Sequence, residues 1–216
     1  MSIRTPVLAS RLELYLVADP AQTRHDLLIA VDQALANGVT AVQLRAKSLT
    51  DRDHFALALA IAERCRRANA LFLVNDRVDI ALASHADGVH LGASDLPVAV
   101  ARRLLRNTAI IGYSPETDDE AAQAAGDGAS YLGVGPVFST GSKGDAGEPL
   151  GFESLRRRID LAGIPVVAIG GIKAENVLPI RASGAVGVAV LSAILGAEDP
   201  GEATLMLRDA SRATGT

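Results

Sequence analysis

The chain of 216 residues contains no tryptophan, only one cysteine and few aromatic residues. A single cysteine can form neither an internal disulfide nor a thiolate metal cluster. Cys65 shares a helical stripe with Ala58 and Ile61, so we expect a buried apolar role rather than a nucleophilic one. No apolar run is long enough to span a bilayer, and the segment MSIRTPVLASRLELY lacks the apolar core of a secretory signal. We therefore expect a cytoplasmic protein without a membrane partner.

An excess of positive charge is also missing, because the net charge is -4. A general polyanion binder is usually basic, so nucleic acid is not an expected partner, although a local basic pocket remains compatible with this composition. Apolar residues make up 49% of the chain and charged residues 21%, which is enough for a buried core and a solvated surface. We expect one domain that spans residues 1–216.

Short β-rich runs alternate with helical patterns along the whole chain, which is typical of a parallel sheet wrapped by helices. Strands are expected at 12–17, 39–45, 71–75, 88–91, 109–114, 131–134, 165–171 and 186–190. Helices are expected at 26–37, 50–68, 78–84, 98–105, from the capping-box pair Thr117 and Glu120 onward, and at 152–160, 174–183 and 203–213. Eight such units predict an α/β fold, a phosphate-binding (β/α)8 TIM barrel. The alternative is an open doubly wound sheet, but that fold usually has fewer strands and a glycine-rich turn after the first.

Polar side chains follow most of the predicted strands, at the end of a barrel that carries the chemistry. Gln43, Arg45 and Lys47 alternate along the second strand, so their side chains should point to the same side. The other strand ends carry Asn75, Asp76, His90, Asp95, Ser114, Thr140, Ser142, Lys143, Gly170, Gly171, Ser192 and Ala193. The glycines and Ser192 lie where barrels often bind phosphate through backbone N–H groups.

This combination of charges is suited to a diphosphate with a divalent cation. Mg²⁺ is usually held by one or two carboxylates together with phosphate oxygens, which makes Asp76 and Asp95 the candidate metal ligands. Arg45 can form a bidentate contact with phosphate, and Lys47 and Lys143 can act as point charges. The strand ends show no Ser-His-Asp order and no histidine-rich zinc pattern. We therefore expect electrostatic rather than covalent catalysis.

Each candidate residue also has a purely structural interpretation. Asp76 and Asp95 could each cap the helix that follows. His90 lies within a strand and is expected to be a structural residue whose neutral ring satisfies a backbone group, rather than a base. Arg45 and Lys47 could be solvated charges of little energetic consequence. Capping alone, however, does not predict a basic cluster and two carboxylates on the same rim.

The sequence resembles the thiamine phosphate synthase family over nearly its whole length. The motifs that carry the resemblance are VQLRAK (42–47), VNDR (74–77), DGVHLGASD (87–95), GVGPVFSTGSK (133–143), AIGGI (168–172) and VLSAI (190–194). The resemblance implies a Mg²⁺-dependent transferase that joins a hydroxymethylpyrimidine diphosphate to a thiazole phosphate. Pyrophosphate leaves first, and the thiazole nitrogen captures the resulting pyrimidinylmethyl cation. The expected partners are therefore small-molecule substrates.

The resemblance also implies a role for each matching residue. Asp76 and Asp95 would bind Mg²⁺, and Gln43 would orient the pyrimidine with Ser114 near the reacting centre. The diphosphate would be held by Arg45, Lys47, Asn75 and Lys143. The thiazole phosphate would be held by Thr140, Ser142, Gly171 and the backbone around Ser192. The loop 135–151 is expected to act as a lid that keeps water from the cation.

Several positions depart from the family pattern and keep two alternatives open. Ala93, Ser94, Pro115, Glu116 and the pair Gly141–Ser142 replace residues more usual in the synthases. They favour the sister family of thiazole tautomerases, or a phosphate-ligand sensor without turnover. Retention of both Asp76 and Asp95 favours the synthase. Either a monomer or a homodimer is compatible with the polar helix faces.

Overall fold

A computed structural model of the chain describes residues 5–105, 107–141 and 147–212. Eight parallel strands lie at its centre: β1 (Leu14–Ala18), β2 (Ala41–Leu44), β3 (Leu71–Asn75), β4 (Gly88–Gly92), β5 (Ile110–Ser114), β6 (Tyr131–Val134), β7 (Val166–Ile169) and β8 (Gly187–Val190). They are hydrogen-bonded in chain order, and β8 pairs with β1 to close a barrel. The expected (β/α)8 barrel is confirmed, and the open sheet is excluded.

A helix follows every strand and packs outside the barrel. The helices are α1 (Thr5–Ser10), α2 (Leu27–Ala36), α3 (Asp51–Arg67), α4 (Val78–Ala83), α5 (Val98–Leu104), α6 (Asp118–Asp127), α7 (Gly151–Ala162), α8 (Ala174–Ala182), α9 (Ser192–Leu195) and α10 (Pro200–Arg212). In the described part of the chain, none of these helices combines the length and the apolarity needed to cross a membrane.

The apolar pattern of the sequence explains these two layers. Every residue of β1, β2, β6 and β8 is buried, because a parallel barrel is covered on both faces. The helices bury a single stripe, which in α2 consists of Leu27, Ala30, Val31 and Ala34. In α3 the stripe includes Cys65, which confirms the expected apolar role. Burial raises the pKa of the Cys65 thiol to about 12, so this residue is a poor nucleophile.

Capping side chains define where several helices begin, as the sequence predicts. The Thr117 hydroxyl accepts from the Glu120 backbone N–H at 3.2 Å, and the Glu120 carboxylate in turn accepts from the Thr117 N–H, which forms a capping box. Thr50 caps α3 by accepting from the backbone N–H of Asp53. These side chains satisfy backbone donors that the first helical turn leaves without a partner.

Several element boundaries differ from the predicted ones, and local hydrogen bonds explain where the first strand and the last helix begin. The first strand begins at Leu14 rather than Leu12, because the Leu12 N–H is bonded to the Ala9 carbonyl in the turn after α1, a helix that the pattern does not predict. The last helix begins at Pro200 rather than Ala203. Asp199 accepts from the Glu202 N–H there, and a proline at the first helical position needs no N–H partner.

Candidate active site

One cavity of about 1040 Å³ opens at the carboxyl ends of the strands. Every predicted site residue in the described part of the chain lines it: Gln43, Arg45, Lys47, Asn75, Asp76, Asp95, Ser114, Thr140, Gly171 and Ser192. Ser142 and Lys143 lie outside the described residues. Residues that are up to 149 positions apart in the chain, from Gln43 to Ser192, therefore surround a common space.

The end of β2 provides the basic side of the cavity. Gln43 is buried inside the barrel, beside Val17 of β1, and Arg45 donates its backbone N–H to the Ala18 carbonyl at 2.9 Å. Lys47 lies further out, with 53% of its side chain exposed. The alternating pattern is confirmed, because all three side chains face the cavity.

Asp19, which the sequence patterns did not single out, holds the guanidinium of Arg45. Its carboxylate is buried, accepts from Arg45 Nη1 at 2.5 Å and also accepts from the Ala21 N–H at 2.9 Å. The interpretation of Arg45 as a solvated charge is wrong, since only 12% of its side chain is exposed. The position of Asp19 directly after β1 was the available signal, because every strand end in a barrel is a candidate position.

Asp76 and Asp95 lie beside this basic side, at the carboxyl ends of β3 and β4. Asp76 adopts a left-handed backbone conformation with φ of 62°, and its N–H donates to the His90 carbonyl at 2.8 Å. Its carboxyl group lies close enough to Asp95 for the two to interact electrostatically, and Lys47 Nζ lies 4.0 Å away. Burial raises the pKa of Asp76 to about 6, with a further upward effect from Asp95 and an opposing one from Lys47 and Arg45.

Neither aspartate caps a helix. The residue before α4 is Arg77 and the residue before α5 is Pro97, and neither helix start receives a side-chain cap. Asp95 instead accepts from the Gly92 N–H at 2.7 Å, which fixes the turn after β4. The capping interpretation of both residues is therefore wrong.

The pair of carboxyl groups is chemically suited to a hard divalent cation. Two neighbouring carboxyl groups resist ionising together, which raises the pKa of one of them, and a divalent cation between them would relieve that repulsion. Among the described residues, no group of three or more His, Cys, Asp or Glu side chains is placed to hold a metal. Two carboxylates fit Mg²⁺, which usually completes its coordination with water and substrate phosphate.

The glycine turn after β7 lies on the far side of the cavity. Gly170 and Gly171 have φ values of 98° and 65°, which glycine adopts without steric cost. A Cβ at Gly170 would come within 2.5 Å of Pro136 Cα, so the turn lies directly against the start of the long loop. Ser192 begins the short helix α9 beside it, and Thr140 belongs to the loop.

Both ends of the loop 135–151 are hydrogen-bonded near this turn. The Val137 N–H donates to the Ile169 carbonyl and the Phe138 N–H to the Gly170 carbonyl. At the other end, the Leu150 N–H donates to the Pro136 carbonyl at 2.8 Å. The start of the loop is thus fixed to β7 and the turn after it, and the end of the loop is fixed to its start. The action of this loop as a lid remains a prediction.

The interior of the barrel below the cavity holds a hydrogen-bonded network that the sequence did not reveal. His90 contacts the Tyr131 hydroxyl through Nδ1 at 2.8 Å and the Ser114 hydroxyl through Nε2 at 2.9 Å. His90 was expected to be a structural hydrogen-bonding residue with a backbone partner, and the partners in these two contacts are hydroxyl groups. Tyr15 contacts Tyr131 at 2.8 Å, and Gln43 donates to Tyr15 at 2.7 Å. Ser114 and Gln43 are thus the two ends of one network.

Arg158 is a second buried charge that sequence reasoning missed. It belongs to α7 and donates to the carbonyls of Pro115 and Glu116 at 3.0 and 2.7 Å and to the Asp118 carboxylate at 3.1 Å. These bonds fix the segment that follows Ser114. Its position on an amphipathic helix gave no signal, because arginine on a helix usually faces solvent.

Comparison with known proteins gives a consistent result. A model of a protein family described as thiamine monophosphate synthase matches residues 14–194. A thiamine-phosphate synthase of Moorella thermoacetica is 54% identical over 176 residues, which cover 82% of this chain and 84% of that protein. A thiamine-phosphate synthase of Chloroflexus aurantiacus is 44% identical over 196 residues, which cover 90% of each chain.

Solved structures agree with these matches. A thiamine phosphate pyrophosphorylase from Pyrococcus furiosus has a TM-score of 0.87 and 41% identity, and the alignment covers 94% of this chain and 97% of that one. A 3-hexulose-6-phosphate synthase aligns with a TM-score of 0.71 at 18% identity, covering 92% of this chain and 99% of that one. The second likeness is one of fold alone.

Proposed function

The chain belongs to the thiamine monophosphate synthase family, and we propose that the residues of its barrel mouth make thiamine phosphate by a dissociative transfer reaction. The enzyme is a transferase. The observation that supports this mechanism best is the pairing of Asp76 with Asp95 in the cavity that Arg45 and Lys47 line. A cavity of this composition can stabilise a departing diphosphate without a protein nucleophile.

The diphosphate of the pyrimidine substrate would bind on the basic side of the cavity. Arg45 presents a guanidinium held in place by Asp19, and Lys47 adds a half-exposed point charge. Asn75 ends β3 beside them, and Lys143 would complete the set from the loop. Mg²⁺ held by Asp76 and Asp95 would neutralise charge on the leaving diphosphate.

The reacting carbon would lie between Gln43 and Ser114, the two polar side chains that border the buried network. Gln43 would orient the pyrimidine ring, and Ser114 would contact it near the bond that breaks. Thr140, Ser142, Gly171 and Ser192 would hold the thiazole phosphate, so that its ring nitrogen faces the same carbon. Closure of the loop 135–151 would exclude water, which otherwise captures the cation.

Further features of the protein are proposed on the same basis. The whole chain, residues 1–216, would form one barrel domain that acts in the cytoplasm as a monomer or a homodimer. Its partners would be the two small-molecule substrates, the pyrimidine diphosphate and the thiazole phosphate, with Mg²⁺ as cofactor.

The test is pyrophosphate release with both substrates and Mg²⁺, with thiamine phosphate detected by mass spectrometry. Asp95→Asn should lower kcat/KM at least ~100-fold, because it removes a carboxylate from the metal pair. Asp79→Asn is the matched control, since Asp79 pairs with Arg77 at the surface and does not line the cavity. Folded wild-type protein that makes no thiamine phosphate, but converts a carboxythiazole phosphate without metal, would replace this proposal with the tautomerase.

A further inference from the structure

Five polar side chains form a continuous chain of hydrogen bonds through the barrel. We call this chain of side chains the relay. In order, its residues are Gln43, Tyr15, Tyr131, His90 and Ser114, and the distances between the hydrogen-bonded atoms of successive residues are 2.7, 2.8, 2.8 and 2.9 Å. Tyr15 and Tyr131 are fully buried, and both ends of the relay border the cavity. The relay therefore connects two substrate-facing groups through the protein interior.

Two glycines provide the space that the relay occupies. A Cβ at Gly112 of β5 would overlap the His90 ring and the Tyr131 hydroxyl. A Cβ at Gly133 of β6 would lie 3.0 Å from His90 Cε1 and 3.2 Å from Ser114 Oγ. Strand interiors disfavour glycine, so its presence on two neighbouring strands indicates a position that needs room.

The direction of the hydrogen bonds follows from the amide of Gln43. Its Nε2 can only donate, so the Tyr15 oxygen accepts. The single proton of Tyr15 is then available for Tyr131, and the proton of Tyr131 for His90 Nδ1. Burial raises the pKa of both phenols above the ordinary value, so each retains the proton that this order requires.

The same order fixes the histidine and the serine at the other end. A neutral His90 that accepts at Nδ1 carries its proton on Nε2 and donates it to Ser114 Oγ. The hydroxyl proton of Ser114 is then available to the cavity. In the reverse order, Tyr15 would accept from both Gln43 and Tyr131, and its own buried proton would have no acceptor in the relay, which is costly.

We propose that Tyr15, Tyr131 and His90 are positioning residues that transmit the polarity of the Gln43 amide to Ser114 and fix its hydroxyl as a donor to the ligand. The ligand atom opposite Ser114 is then a hydrogen-bond acceptor, such as a ring nitrogen or an ether oxygen. Its identity as part of a pyrimidine substrate rests on the proposed function. The polarity of the relay does not, because it is a property of the ligand-free protein.

The polarity can be read directly from the tautomer of His90 by nitrogen NMR of protein labelled with ¹⁵N-histidine. The wild-type spectrum should show His90 with an unprotonated Nδ1 and a protonated Nε2. His25 provides an internal reference, because its Nε2 lies 2.8 Å from the Ala197 carbonyl, which can only accept. Loss of the signal in His90→Gln assigns it. A wild-type His90 that is protonated on Nδ1 would overturn the inference without any variant.

The variant Gln43→Glu provides the sharper test at pH 8. An ionised carboxylate can only accept, so Tyr15 would donate to it and every later bond of the relay would reverse. The proton of His90 should then move from Nε2 to Nδ1, while His25 keeps its tautomer. Gln33→Glu is the matched control, since Gln33 is exposed on α2 and should leave both histidines unchanged. An unchanged His90 in folded Gln43→Glu would refute the relay.

Activity provides a separate readout through a double-mutant cycle. Tyr131→Phe keeps the ring but breaks the relay, and we expect kcat/KM to fall about tenfold. If Tyr131 acts only through Ser114, the same change in a Ser114→Ala background should have no further effect. Additive losses would show that Tyr131 has only a structural role. Failure to form thiamine phosphate would refute the proposed function, whereas the tautomer of His90 would still decide the relay.

Discussion

Asp19 and Arg45 follow neighbouring strands and form an ion pair with a distance of 2.5 Å between Nη1 and Oδ2. Their side chains are only 4% and 12% exposed. A buried ion pair adds little net stability, but removal of one partner leaves a desolvated charge and is strongly destabilising. The pair therefore fixes the guanidinium at the cavity wall before any substrate arrives.

We expect Asp19→Asn to lower both stability and activity. The unpaired Arg45 should reduce the free energy of unfolding by ~3 kcal/mol and kcat/KM by at least ~10-fold. Urea unfolding and initial rates measure the two effects. Asp79→Asn breaks an exposed pair with Arg77 and should cost less than ~1 kcal/mol. Equal losses in the two variants would contradict the role assigned to Asp19.

We expect Asp76→Asn to stabilise the metal-free protein while it abolishes turnover. The folded-state pKa of Asp76 is about 6, above the unfolded value. The stability of the protein with a protonated Asp76 is therefore fully present below about pH 4 and is lost as the pH rises through 6 and the side chain ionises. Because water at the cavity mouth screens this charge, we expect the free energy of unfolding of Asp76→Asn to exceed that of the wild type by only ~1 kcal/mol at pH 7.5 with EDTA. Thermal unfolding at pH 4 and 7.5 measures it, and an equal gain at both values would exclude this cause.

His54 should make the protein less stable in mild acid. It is buried on α3, and its Nε2 has no hydrogen-bond partner among the described residues. Burial, with a smaller contribution from Arg77, lowers the pKa of His54. Its stabilising contribution is therefore fully present above the unfolded pKa of about 6.5 and is lost as the pH falls through the lower folded value.

The variant His54→Leu should accordingly lose less stability than the wild type between pH 7 and 5. The free energy of unfolding in urea, measured at several pH values, gives the slope of stability against pH. His85→Asn is the matched control, since the His85 side chain is exposed and its slope should equal that of the wild type. A wild-type slope in His54→Leu would rule out this source of acid sensitivity.

Replacement of the two glycines Gly112 and Gly126 by alanine should have opposite effects. Gly112→Ala places a methyl group on His90 and Tyr131, and we expect a loss of ~2 kcal/mol or more. A Cβ added at Gly126 in α6 would meet no atom within 4 Å, so Gly126→Ala should gain ~0.5–1 kcal/mol. Thermal unfolding of both variants measures the two effects. An unchanged stability of Gly112→Ala would show that the barrel interior is not tightly packed there.

The sequence predicts the barrel and the polar strand ends because both are local patterns. Each strand is a short apolar run, and Asn75, Asp76 and Ser114 lie at or directly after strands that periodicity alone identifies. The orientation of Gln43, Arg45 and Lys47 toward a common cavity follows from the alternation of side chains along a strand. These features need no knowledge of which strands become neighbours.

The relay and the buried charges could not be predicted, because they depend on long-range contacts. Tyr15 and Tyr131 are 116 positions apart and each lies within an apolar run, where tyrosine is ordinary core. Arg158 reaches the loop after β5 only because α6 and α7 pack side by side. The missed residues are thus those whose partners are set by closure of the barrel.

The space left by Gly112 and Gly133 also limits the order in which this barrel could evolve. While His90 and Tyr131 are present, a larger residue at position 112 would clash with both of them. Replacement of this glycine is therefore disfavoured as the first of several substitutions. A lineage could fill the interior with apolar side chains only after it had lost the histidine or the tyrosine. The history of such a barrel would therefore be directional, with polar residues lost first and glycines replaced later.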